Sequence, residues 1–311
     1  MEGEVEGVHK MRVASRRLRE AVPLLPSAEG SQAVRSPAGH RIVRPLRRVT
    51  RALGGVRELD VALAYLHDMA AARPALAGAA GTVSRVIRWE RELRRQAMIS
   101  RLERANLEKL ERQVLDLVVD LEVSPPDRSR TRALSRRVAR RAAGVEEAVE
   151  AAGSLYAPGR LHGVRISTKK LRYALELVQE LTPVHTLGPV RRLKRMQDLL
   201  GRMHDLEVLA GYTRLLDLQA GRRGRLHARI GLLLDAIDTE IRLLHAAYLS
   251  ARTSLLAITA RCRDEFCLQL VALGAARPLR PASPRGSYGS THHVVRRPTR
   301  DRRGTGRRVS R

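Results

Sequence analysis

Two short segments of the chain set a histidine ahead of three cations on one helical line. In the first, His9, Arg12, Arg16 and Arg19 recur at intervals of three and four residues. In the second, His162, Arg165, Lys169 and Arg172 repeat the same intervals. Residues three and four apart stack along one side of an α-helix, so each quartet forms a ladder with about one turn or less between rungs. No acid interrupts either ladder. Like charges at that spacing destabilise a helix by roughly a few tenths of a kcal/mol per pair. A solvated basic face would explain one such helix. Two of them, each led by histidine, point to a bound anion. Guanidinium forks grip phosphate oxygens at two points, lysine acts as a point charge, and histidine adds a proton-dependent donor.

The ladders sit inside a longer repeat. The segment Val8-His9-Lys10-Met11-Arg12-Val13-Ala14-Ser15-Arg16-Arg17-Leu18-Arg19 aligns with Leu161-His162-Gly163-Val164-Arg165-Ile166-Ser167-Thr168-Lys169-Lys170-Leu171-Arg172, 153 residues later. A second motif, Leu46 to Val61, aligns with Leu193 to Val208 at an offset of 147. Two motifs in the same order imply a duplicated unit, and a period near 150 is too long for a solenoid. The second motif places Arg47, Thr50, Gly54 and Arg57 on one polar line, matched by Lys194, Gln197, Gly201 and His204. Gly54 and Gly201 each cost a helix about 1 kcal/mol, so close packing or room for a ligand is expected there. Asp60 and Glu207 fall on the apolar lines. A buried charge needs a partner, so each is expected to pair with an arginine of a neighbouring helix or to lie at a wetted edge. The run His204-Asp205-Leu206-Glu207 looks like a metal motif, but its counterpart Arg57-Glu58-Leu59-Asp60 has no histidine, so no ligand role is assigned.

The elements that must carry these residues are helices. Apolar residues recur at three and four, and β-branched alternation is rare. Helices are expected over 5–25, 44–72, 82–104, 106–122, 129–152, 160–181, 189–219, 224–250 and 252–273, with Pro- and Gly-rich punctuation between them. In the first ladder helix, Val8, Met11, Ser15, Leu18, Val22 and Leu25 form the buried stripe. In the second, Leu161, Val164, Thr168, Leu171, Leu175 and Val178 do. The fold class is all-α: duplicated helical bundles with pseudo-twofold symmetry around a basic central cavity. Half one covers about 1–152 and half two about 153–274.

Charge identifies the kind of partner. The chain carries 59 Lys and Arg against 32 Asp and Glu, a formal net charge of +27. Such a field favours a polyanion: nucleic acid, an anionic membrane surface or polyphosphate. Residues 275–311 hold eleven Arg and one Asp with little that could bury, and read as a basic disordered tail able to hold nucleic acid without specificity. Aromatic residues are only 3% of the chain, which leaves few platforms for base stacking. Cys262 and Cys267 fit neither a CxxC pair nor a disulfide framework. The acidic start MEGEVEGVHK does not read as a signal peptide, and no apolar run is long enough for a transmembrane helix, so the expected location is cytoplasmic. No phosphate-binding loop and no catalytic or metal constellation is found, so no cofactor is expected and the chain is not read as an enzyme.

The motifs HKMRVASRRLR and HGVRISTKKLRY, followed by LGGVRELDV and LKRMQDLLGRMHDLEV, resemble the four hallmark segments of the CHAD family, the conserved histidine α-helical domain. The resemblance spans roughly residues 5–273. It implies two helical bundles around a basic cavity or groove, and binding of inorganic polyphosphate, with association to polyphosphate granules. By position it implies that His9, Arg12, Arg16, Arg17 and Arg19 line the site from one half. From the other half it implies His162, Arg165, Lys169, Lys170 and Arg172. Arg47, Arg57, Lys194 and His204 occupy the matching positions of the second motif. Beside bound phosphate His9 and His162 would hold protons more tightly, so affinity is expected to rise as pH falls through about 6.5. The rival readings are a nucleic-acid binder, a scaffold on anionic surfaces and a polyphosphate-processing accessory.

Overall fold

The computed structural model describes residues 2–22, 37–122, 128–220 and 224–275. The protein is all-α, and no strand occurs among the described residues. The helices are α1 (Glu2–Ala21), α2 (Pro37–Ala52), α3 (Gly54–Ala72), α4 (Ala77–Glu103), α5 (Leu107–Glu122), α6 (Arg128–Ala152), α7 (Pro158–Leu181), α8 (Leu187–Ala220), α9 (Arg225–Arg261) and α10 (Cys267–Ala275). They belong to one compact unit, Met1–Ala276. The basic segment beyond it lies outside the described residues, as do Leu25 and the end of the first expected helix. No described helix is long and apolar enough to cross a membrane.

Helix α7 follows its sequence pattern closely. Leu161, Val164, Thr168, Leu171, Leu175 and Val178 are all buried. Pro158 occupies the first turn, where its missing N–H leaves nothing unsatisfied. Helix α1 follows less fully. Val8, Ser15 and Val22 are buried, but Met11 is 39% exposed. Its neighbours α2, α3 and α7 leave that flank of α1 uncovered.

Two apolar clusters hold the unit together. The smaller joins α1, α2, the start of α3, the end of α4 and α5 through Val8, Leu46, Val49, Val56, Met98 and Leu110. The larger joins the rest of α3 and α4 to α6–α10. Helix α6, which repeat arithmetic puts at the end of the first half, packs against α7 and α10. The clusters part within α3, between Val56 and Leu59. That helix therefore carries the second motif across both.

The expected division into helices changes at two places. The helix expected over 44–72 is interrupted at Leu53, directly before Gly54-Gly55. Two adjacent glycines weaken helix propagation, and tertiary packing uses the weak point. The break expected near residue 251 is absent: α9 runs on to Arg261, and a π-helical turn at Cys262–Phe266 leads into α10. Nothing near residue 251 breaks a helix, since Ser250, Ala251 and Arg252 all tolerate one.

The two acids on apolar lines find different partners. Asp60 accepts a hydrogen bond from Arg91 Nε of α4 at 2.6 Å, and both side chains are largely buried. Of the two expected outcomes, this is the interhelix arginine pairing. Glu207 does not pair in that way: it accepts a hydrogen bond from the Tyr156 hydroxyl. Asp60 faces α4, which offers Arg91. Glu207 faces the connector entering α7, which offers a tyrosine.

Candidate polyanion-binding site

Four helices bring the two ladders and the two second motifs together. Helix α1 packs on α7, α3 packs on α8, and α1 also meets α3. Arg12 and Arg16 of α1 thereby approach Arg165 and Lys169 of α7 closely enough to act on each other's charge. Arg57 from α3 and His204 from α8 flank this cluster. The glycines of the second motif supply the room. A methyl group on Gly54 would meet Arg12 Nη1 at 3.0 Å. On Gly201 it would meet Arg165 Nε at 3.7 Å. Gly54 and Gly201 are equivalent in the repeat, and so are Arg12 and Arg165. In both places a missing Cβ seats a guanidinium of the ladder.

The cluster is electrostatically costly when empty of anions. Burial, and then Arg16, Arg165, Arg12 and Arg172, push the Lys169 ammonium down to about 6. Burial, and then Arg16 and Arg165, push Arg12 down to about 10. Burial also lowers Arg165, with Asp205 opposing. Like charges held together in a poorly solvated site disfavour their own protonation, and a bound anion reverses that penalty. Arg12 Nη1 and His162 Nδ1 are buried without a hydrogen-bond partner from the protein. Such donors are costly to leave unfilled.

The histidines do different work. His162 and His204 bring their rings to 4.5 Å, with 50° between their planes. His204 Nε2 lies 3.6 Å from Glu58 Oε1. Glu58 is held below the usual carboxylate range, chiefly by His204 and against its own burial. His162 is held below its ordinary value by burial, then by His204, Arg165 and Lys169. In the free protein it is therefore more readily neutral than an exposed histidine. His9 leads the first ladder but lies exposed on α1, outside the cluster.

Not every expected rung faces the cluster. Arg19 is half-buried beside Arg47, and its Nε has no partner from the protein. Arg172 is occupied internally: Nε donates to Gln197 Oε1 at 2.6 Å and Nη1 to Glu176 Oε1 at 2.5 Å. Arg17 and Lys194 are exposed and lie near the same Glu176. Lys170 is exposed on a neighbouring line of α7. A surface groove of about 640 Å³ lies away from both ladders, among Val184, Arg261, Phe266 and Leu273.

Two acids at the centre escaped the sequence reading. Glu58 and Asp205 are equivalent under the 147-residue offset, so the repeat itself carried the signal. Glu58 meets His204 and Arg94 Nη1, the latter at 3.5 Å. Asp205 is raised by burial while Arg165 and His204 pull it down. Glu58 reaches from the second motif of the first half to His204 of the second, whereas Asp205 acts chiefly on cations of its own half. Arg94 of α4 is fixed as well, donating to Glu90 at 2.7 Å and to the Tyr212 hydroxyl at 2.7 Å.

Comparison with known proteins bears on fold and family. The family model for the CHAD domain matches residues 1–214, a span that contains both ladders and both second motifs. The crystal structure of the CHAD domain from the plant Ricinus communis is similar, with a TM-score of 0.51 at 24% identity, over 84% of this chain and 82% of that one. At that identity the likeness speaks for the fold. No curated protein matches the chain.

Proposed function

The chain belongs to the CHAD domain family, and from that premise we propose that it binds inorganic polyphosphate, or a polyanion of the same chemistry, without catalysing a reaction on it. The observation that carries this reading is the half-buried meeting of Arg12, Arg165 and Lys169 from two ladders, with unpartnered buried nitrogens on Arg12 and His162. A chain of linked phosphates supplies closely spaced oxygens and charges to such a site. Arg12 and Arg165 take its oxygens by charge-assisted hydrogen bonds. Lys169 regains its proton beside the new negative charge, and His162 follows. Arg16, Arg57 and His204 complete the rim. Glu58 and Asp205 orient His204 and Arg165, and are assigned no bond-breaking role. On this reading the protein resides in the cytoplasm, where polyphosphate granules hold its ligand.

Competition tests the assignment. Long-chain polyphosphate is set against duplex and single-stranded nucleic acid, on the full chain and on a chain ending at Ala276. Polyphosphate should win on both. Preference for nucleic acid by the shortened chain would end this reading. Alanine at Arg12, Arg165 and Lys169 together should abolish polyphosphate binding while helical content is unchanged.

A further inference from the structure

The two ladders end differently, and the difference selects a path for a long ligand. Arg19 and Arg172 are equivalent last rungs. Arg172 is held by Gln197 and Glu176, whereas Arg19 Nε is buried with no partner from the protein. The repeat explains why. Glu176 aligns with Pro23, and Gln197 aligns with Thr50. Thr50 cannot clamp Arg19, because its hydroxyl donates to the Leu46 carbonyl at 2.8 Å and meets Ser15 Oγ at 3.0 Å.

The asymmetry continues one turn further. Arg51 of α2 aligns with Asp198 of α8. Helix α2 contains no acid at all, and Arg44, Arg47, Arg48 and Arg51 lie on its exposed side. Arg47 and Arg51 both act on the charge of Arg19. At the other end, Glu176 and Glu180 line the groove between the ends of α1 and α7. A polyanion leaving the cluster on that side meets an arginine already neutralised and then carboxylates.

The geometry points to a one-sided path: polyphosphate held at Arg12 and Lys169 leaves past Arg16 and Arg19 onto the exposed arginines Arg47 and Arg51 of α2, and not past Arg172 onto α8. Arg51 is thereby a binding residue, and its counterpart Asp198 closes the equivalent route. Short oligophosphates fill the cluster alone, while long chains reach α2. This rests on the polyphosphate reading above.

The test uses the full chain with two probes, inorganic tripolyphosphate and long-chain polyphosphate. Arg47→Ala with Arg51→Ala should weaken the long chain about tenfold and make its salt dependence shallower by about two counterions. Tripolyphosphate binding should stay unchanged. Arg191→Ala with Arg195→Ala on α8 should move neither probe by more than about twofold, although it removes the same charge. All four side chains are exposed, so circular dichroism should show an intact fold. Equal losses from both double substitutions, or no loss from the α2 pair, would overturn the path and leave the polyphosphate reading standing. Failure of the unaltered chain to bind either probe would remove that reading and the path with it.

Discussion

Lys169 makes the site responsive to pH. Free, it loses its proton near 6; beside phosphate it keeps it. Between that value and the ordinary lysine range the complex binds more protons than the free chain. Affinity should therefore rise as pH falls across this window and level off below about 6. His162, lowered by burial in the free protein, adds in the same direction. Calorimetry at pH 8 in buffers of different ionisation enthalpy should record proton uptake on binding, and Lys169→Met should remove most of it. The same residue affects stability in the opposite sense. An unfolded lysine keeps its proton to about 10.5, so the free fold gains stability as pH rises from about 6. Lys169→Met should raise the stability of the free protein at pH 7 by about 1 kcal/mol or more, read by thermal melting. Gly54→Ala belongs to this scale too. Its methyl would press on Arg12 Nη1 at 3.0 Å and displace the guanidinium. Polyphosphate affinity should fall while the melting temperature holds or rises slightly, since alanine favours the helix by up to about 1 kcal/mol. Gly201→Ala, whose added carbon makes ordinary contact with Arg165, should cost less affinity.

Helices carry these side chains, and their pairing sets the geometry. Helix α3 is the hinge of the arrangement, since its start belongs to the smaller apolar cluster and its remainder to the larger. Asp60 and Arg91 fasten α3 to α4 with little water between them. Removing one partner of a buried pair strands the other charge. Asp60→Ala should lower stability by about 3–5 kcal/mol, measured by denaturant unfolding, with a smaller loss for Asp60→Asn. The helices were legible wherever periodicity was long and proline marked the ends, as in α7. Periodicity does not report a partner. Hence an arginine and a wetted edge stood equally open for Glu207, and the exposed hydroxyl of Tyr156 takes it. It also does not report which glycine breaks a helix. Leu53-Gly54 does so where two glycines are adjacent, whereas the lone Gly201 remains within α8.

Across the whole molecule, charge acts at two ranges. The chain carries +27, and residues 277–311 contribute eleven Arg and one Asp, or +10, leaving +17. Long-range attraction speeds encounter and is screened by salt, with a Debye length of about 8 Å at physiological ionic strength. The half-buried cluster is screened less. A chain ending at Ala276 should bind polyphosphate with a shallower salt dependence but keep its preference over nucleic acid. A chain that lost binding altogether on shortening would place the site beyond Ala276. Alanine at Arg12 and Arg165 in the full chain should reduce affinity and make its salt dependence shallower by about two counterions, read from titrations across ionic strength.

Sequence alone determined the all-α class, the buried stripes of α7 and the second motif, and the presence of two histidine-led cationic ladders. These follow from local periodicity and from a repeat visible in residue types. The alignment sets Arg51 against Asp198 and Thr50 against Gln197, but the asymmetry of the ladder ends appears only in the contacts of Arg19 and Arg172. Only the tertiary structure decided which rungs act together. Packing of α1 on α7 and of α3 on α8 gathers Arg12, Arg165 and Lys169 half-buried in one place, leaves His9 outside, and hands Arg172 to Glu176. Burial and mutual approach set the proton affinity of a cation, and neither quantity exists until helices distant in the chain have met.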